Sequence, residues 1–174
     1  MNRAQLEHII RAASAISEDP EIVVVGSQAI LGQFPDAPAE LLVSMEADVY
    51  PKTLRERWNL IDGVMGELSA FHDTFGYYAQ GVEQGTAVLP LGWESRLVVI
   101  SNLNTSGAKG YCLEAHDLVV SKLLANRAKD KAFARVALSA GLVKRALLLE
   151  RLASVPRTAE LRPVLDLVAA SLQP

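Results

Sequence analysis

The chain has 174 residues, half of them hydrophobic, a net charge of −3 and a mean hydropathy of +0.19. That is enough apolar material for a sizeable core, which excludes an intrinsically disordered chain. No apolar run approaches the ~18–20 residues needed to cross a bilayer, and the polar opening Met1 to His8 lacks secretory character. The lone cysteine, Cys112, excludes an internal disulfide framework and a Cys-rich zinc site. The expectation is a soluble, cytoplasmic chain folding as a single domain over 1–174.

In chain order, Arg3 to Ser17 repeats Leu6, Ile9, Ile10, Ala13 and Ile16 at helical spacing and ends at Asp19-Pro20. Glu21 to Gly26 is a β-branched run closing on glycine, a buried strand with a sharp turn. Ser27 caps a short helix, Gln28 to Phe34, and a Pro-containing loop leads to a strand over Leu41 to Tyr50. Leu54 to Leu68 reads as helix. Phe75 to Val82, Thr86 to Leu89 and Arg96 to Asn102 read as strands, and Ser101 to Gly110 as turn-rich. From about 114 onward the pattern is helical: Glu114 to Ala128, Asp130 to Ala140, Val143 to Ser154 and Thr158 to Leu172. A strand-containing part over about 1–113, followed by a helical part over about 114–174, predicts an α+β fold.

Charge divides the same way. Residues 1–113 carry 7 Lys/Arg against 14 Asp/Glu, and residues 114–174 carry 10 against 6. Lys122, Arg127, Lys129, Lys131 and Arg135 face a single acid, Asp130, within one short stretch. Such a segment attracts phosphate-bearing ligands, or is simply a solvated helix face. The chain as a whole is not basic, so duplex DNA is not an expected partner.

Two short motifs carry chemistry. Val25-Gly26-Ser27-Gln28 feeds a strand through a glycine turn into a helix start, where backbone amides and a hydroxyl suit phosphate oxygens; the same residues also serve as ordinary turn and cap. In Glu46-Ala47-Asp48, strand alternation puts two carboxylates on one face, ~7 Å apart along the strand. Paired hard oxygens can hold Mg²⁺ against nucleotide phosphates; the bland alternative is an acidic, exposed strand face. In the cationic segment, Lys122, Asn126 and Asp130 at i, i+4 and i+8 would form one helical stripe. Lys122 is then a point charge for a triphosphate, Arg127 a phosphate or acceptor clamp or a partner for Asp130, and Asp130 a metal ligand or base.

The glycine–serine turn followed by acid-x-acid resembles the signature of the nucleotidyltransferase (polymerase-β-like) superfamily. Leu113 to Asp130, with its Asp-Leu, Lys-Leu-x-Ala, Arg and Lys-Asp steps, is similar to the motif after the sheet in AbiEii-like and MNT-type bacterial members. Leu89 to Leu97 resembles an uncharacterised branch of that group. The resemblance covers roughly 20–140. It implies a mixed sheet flanked by helices and Mg²⁺-dependent transfer of a nucleotidyl group from an NTP to an RNA, such as tRNA, or a protein. It also implies a toxin role in type IV toxin–antitoxin or phage-defence systems, with a possible antitoxin partner. On this resemblance Glu46 and Asp48 hold metal and take part in catalysis with Lys122 and Asp130, while Gly26, Ser27, Lys122 and Arg127 bind nucleotide. The gap from Ser27 to Glu46 is long for the pattern, and the first acid is Glu where Asp is commoner. The further carboxylate that many members place on a later strand has no counterpart in Arg96 to Asn102; Glu94 precedes that segment, and either Asp130 completes the set, as the resemblance implies, or the catalytic centre is incomplete. The alternatives are a fold relative that binds nucleotide, RNA or protein without turnover, and a helical interaction module.

Other candidates read as structural. His72-Asp73 suits a locally bonded histidine, His8 and His116 lack a metal-ligand pattern, and Cys112 suits burial rather than nucleophilic attack. Tyr77, Tyr78 and Trp93 can stack on a base or pack.

Overall fold

The structure is a computed structural model and describes residues 1–172. Helix α1 (Arg3–Ser17) begins with a capping box: the Asn2 side chain accepts from the Gln5 amide, and the Gln5 side chain accepts from the Asn2 amide. Its face of Leu6, Ile9, Ile10 and Ala13 is completely buried, and burial of each large side chain stabilises by about 1.5–3 kcal/mol. Strand β1 (Glu21–Val24) follows, then a 3-10 turn at Ser27–Ala29 that runs into α2 (Ile30–Gln33). Strand β2 (Glu46–Pro51), α3 (Trp58–Met65), α4 (Ala70–Phe75) and β3 (Tyr78–Gly81) come next, followed by β4 (Val98–Ile100) and β5 (Lys109–Cys112).

The strands form one mixed sheet in the order β3-β2-β1-β5-β4. The β1/β5 and β2/β3 pairs are parallel, and β1/β2 and β4/β5 antiparallel. Four helices complete the described residues: α5 (Ala115–Ala125), α6 (Ala128–Ser139), α7 (Arg145–Ala153) and α8 (Arg162–Ser171). The fold is α+β. Among the described residues no helix is long and apolar enough to cross a membrane.

The sheet has two unlike faces. On one, α1 and α3 pack so closely that glycine is required. A Cβ on Gly110 would lie 2.3 Å from Ile10 Cδ1, and one on Gly81 would lie 2.0 Å from the Trp58 carbonyl oxygen. Ala47 and Val49 of β2 are fully buried with this face. Alternation sends Glu46 and Asp48 to the opposite face, where both remain partly exposed.

Several expected elements differ. The strand expected over Leu41 to Tyr50 begins only at Glu46; Ala39–Leu41 is a 3-10 turn. Phe75 ends α4 instead of starting a strand, because Ser69 accepts from the His72 amide and caps a helical turn. The helix expected over Leu54 to Leu68 is a 3-10 turn at Arg55–Arg57 and then α3. Thr86 to Leu89 is not a strand, since a 3-10 turn occupies Gln84–Thr86 and the segment beyond joins no ladder. β4 is only three residues long, because a 3-10 turn takes Trp93–Arg96. The stretch read as turns conceals β5, which sits between β1 and β4 and is short and Gly-containing.

Candidate functional site

Gly26 ends the run from β1 and lies directly against β2. Its φ of −79° is open to any residue; it is glycine because a Cβ there would lie 1.7 Å from Asp48 Oδ2. The turn and the second acid are therefore packed as a unit. The neighbouring strand is β3, in which Tyr78 pairs with Glu46 and Gln80 with Asp48. The Tyr78 hydroxyl donates to Glu46 Oε2 at 3.1 Å, whereas Gln80 donates its amide to Asp62. The place beside the acid pair is thus filled by a phenol and an amide. It belongs to β3, not to the Arg96–Asn102 region, whose strand β4 lies at the far edge of the sheet.

The cationic segment reaches the acids by a route other than the expected stripe. Helix α5 stops at Asn126, which adopts a left-handed conformation (φ 59°), one that asparagine tolerates better than most residues. Arg127 is extended and starts α6. Lys122 and Asp130 therefore sit on two helices, and the fold back at Asn126 brings them together. Lys122 Nζ lies 3.5 Å from Asp130 Oδ1, and Arg127 grips the same carboxylate through Nε (2.5 Å) and a terminal nitrogen (3.3 Å). Asp130 is buried, with both oxygens occupied by cations.

These residues meet in one cleft of about 320 Å³, whose polar lining includes Ser27, Glu46, Asp48, Lys122, Arg127, Lys129 and Asp130. Leu41, Val43, Phe133 and Val136 contribute apolar lining to the same cleft, which Glu40 also lines. A second hollow of about 340 Å³, lined by Gly26, Thr86, Ala87 and Ser121, shares Asp48, Lys122 and Arg127 with the first. Asp48 therefore stands between two spaces.

Electrostatics mark Asp48 further. Burial, with the adjacent Glu46 carboxylate, pushes its pKa up to about 6, against the pull of Lys122 and Lys129. Burial and the charge of Glu46 push the Tyr78 hydroxyl up to about 12, so it stays a donor across the neutral range. The hydrogen bond to Asp130 raises the Arg127 pKa still further. Among the described residues, no group of three or more His, Cys, Asp or Glu side chains is arranged to hold a metal ion.

The remaining candidates lie elsewhere. Tyr77 hydrogen-bonds His8 at 2.7 Å, and Trp93 and Glu94 line a different hollow with Tyr50 and Arg55. The His116 ring bonds Glu114 and accepts from the Lys144 amide, tying α5 to the start of α7. His72 accepts from the Leu68 amide and packs against the Tyr78 ring at a tilt of 46°. Cys112 is fully buried, and burial pushes its thiol up to about 12, an inert residue. Sequence reasoning missed the part played by Tyr78. Its partner Glu46 becomes visible only once the β2/β3 register is known.

A family model described as nucleotidyltransferase of unknown function (DUF6036) matches residues 4–155. The chain belongs to that family. No curated protein and no solved structure matches the chain. Membership places this DUF6036 chain in the nucleotidyltransferase superfamily, and the match runs from the first turn of α1 through α7 and takes in every strand of the sheet.

Proposed function

We propose that this DUF6036 protein is a Mg²⁺-dependent nucleotidyltransferase that uses the cleft between β2 and the α5–α6 corner to transfer a nucleotidyl group from an NTP to an RNA or protein acceptor. One observation carries the proposal: Glu46 and Asp48 face Lys122, Arg127 and Lys129 across a single cleft beside the Gly26-Ser27 turn. Carboxylates alone would repel a triphosphate and cations alone would not hold a metal; the combination suits a metal–triphosphate complex.

The donor set fits Mg²⁺. Two hard carboxylates, one raised in pKa by burial and by its neighbour, suit an ion that completes its shell with water and phosphate. Bound there, the ion would neutralise triphosphate charge and polarise the α-phosphorus. Glu46 and Asp48 are the residues that would hold it. Lys122 and Arg127 offset charge on the phosphates, and Asp130 acts as a positioning residue that fixes both cations. The apolar side chains lining the cleft receive the base, and the second hollow that shares Asp48, lined by Thr86 and Ser121, admits the acceptor. The acceptor hydroxyl attacks the α-phosphorus in line, pyrophosphate departs, and the hydroxyl proton passes to solvent. The resemblance to AbiEii-like and MNT-type proteins extends the proposal to a toxin–antitoxin or phage-defence role, with an antitoxin partner and a cytoplasmic setting.

A second reading, a nucleotide-binding relative without turnover, is favoured by the β3 neighbours of the acid pair, Tyr78 and Gln80, which supply no further carboxylate. Incubating the protein with each α-³²P-labelled NTP, Mg²⁺ and either total RNA or cellular protein separates the two. The transferase reading expects label on one macromolecule class, lost in Asp48→Asn. Metal-dependent NTP binding with no label transfer would favour the second.

A further inference from the structure

We propose that Tyr78 is a positioning residue whose hydroxyl holds the Glu46 carboxylate beside Asp48 and so sets the affinity of the acid pair for a divalent cation; this rests on the cleft being a metal–nucleotide site. The two acids are fixed in different ways. Asp48 is short and packed against Gly26, with Oδ2 occupying the space a Cβ would fill. Glu46 has an extra rotatable bond and stands on the partly open face of β2. Like charges on one face of β2, two residues apart, repel, so an unbraced Glu46 would swing away from Asp48 and lose rotamer order that a metal would then have to restore.

The brace is built into the sheet. Tyr78 is the register partner of Glu46 across the β2/β3 ladder and donates to Oε2 at 3.1 Å, leaving Oε1 uncommitted by that bond. Its ring is steadied by His72, with centroids 4.6 Å apart, and His72 Nδ1 accepts the Leu68 amide at 3.1 Å. The support therefore runs from the turn before α4 through two rings to one carboxylate oxygen. Gln80, one step along β3, gives Asp48 nothing comparable because its amide is turned to Asp62. Partners of this kind orient metal-binding side chains, and losing one typically weakens metal binding 10–100-fold.

The test titrates Mn²⁺ into the full chain, with free ion read by electron paramagnetic resonance and stability by urea midpoint. Tyr78→Phe keeps the ring and removes the hydroxyl. It should bind Mn²⁺ roughly 10–100-fold more weakly at an unchanged midpoint, and excess Mn²⁺ should restore wild-type NTP affinity, which a general structural lesion would not allow. Tyr77→Phe, whose hydroxyl meets His8, should bind as wild type. His72→Ala, which keeps the hydroxyl but loosens the ring, should show a smaller loss in the same direction. Mn²⁺ binding by Tyr78→Phe within twofold of wild type overturns the proposal while leaving the cleft's function standing. Failure of the wild type itself to bind Mn²⁺, alone or with NTP, overturns both.

Discussion

Gly26 and Asp48 share a space that admits one side chain. A methyl at position 26 would lie 1.7 Å from Asp48 Oδ2, so Gly26→Ala forces the carboxylate or the turn to move. The expected cost is about 1–3 kcal/mol, read from urea unfolding, together with loss of Mg²⁺–NTP binding. Asp48 itself is a stability liability. Folding lifts its pKa from 3.8 to about 6, so the ionised form is disfavoured in the native state. Stability from this group is highest in acid, falls as pH rises from 3.8 to about 6, and is flat above. Asp48→Asn removes that slope. It should raise stability at pH 8 by about 1 kcal/mol, discounted for partial exposure, and give little gain at pH 4. Equal stabilisation at both pH values would contradict this assignment.

At the scale of elements, the break between α5 and α6 decides the site. Asn126 in a left-handed conformation ends α5 and turns Arg127 into the start of α6, which brings Lys122 and Asp130 together from separate helices. Asn126→Gly should leave stability nearly unchanged, whereas Asn126→Ala should cost about 1 kcal/mol and weaken NTP binding; urea midpoints and calorimetry measure both. Sequence spacing also brings Lys122 and Asp130 together, but as one helical stripe and with the helix boundary expected only near Ala128, because helical propensity on either side hides the single left-handed residue at Asn126. The acid pair was more legible: alternation in a strand puts Glu46 and Asp48 on one face wherever that strand lies in the sheet. Strand β5 was hidden because Lys-Gly-Tyr-Cys owes its state to β1, β4 and the Ile10 side chain that fills the gap over Gly110, and not to its own propensity. Tyr78 was hidden for a related reason, since pairing across a ladder is a property of register and not of either strand alone.

Across the whole molecule, the division of charge becomes spatial. The acidic first part supplies Glu46 and Asp48 from the sheet, the basic second part supplies Lys122, Arg127 and Lys129 from two helices, and the cleft is their seam. Under the proposed function, the seam would bring metal-holding and phosphate-holding groups together without either part needing both. Isothermal calorimetry with ATP, CTP, GTP and UTP, with and without Mg²⁺, tests this most directly when wild type is compared with the Glu46→Gln/Asp48→Asn pair. At least one NTP should bind the wild type only when Mg²⁺ is present, and the double variant should not bind it. Binding that ignores Mg²⁺, or that survives in the double variant, would contradict the account.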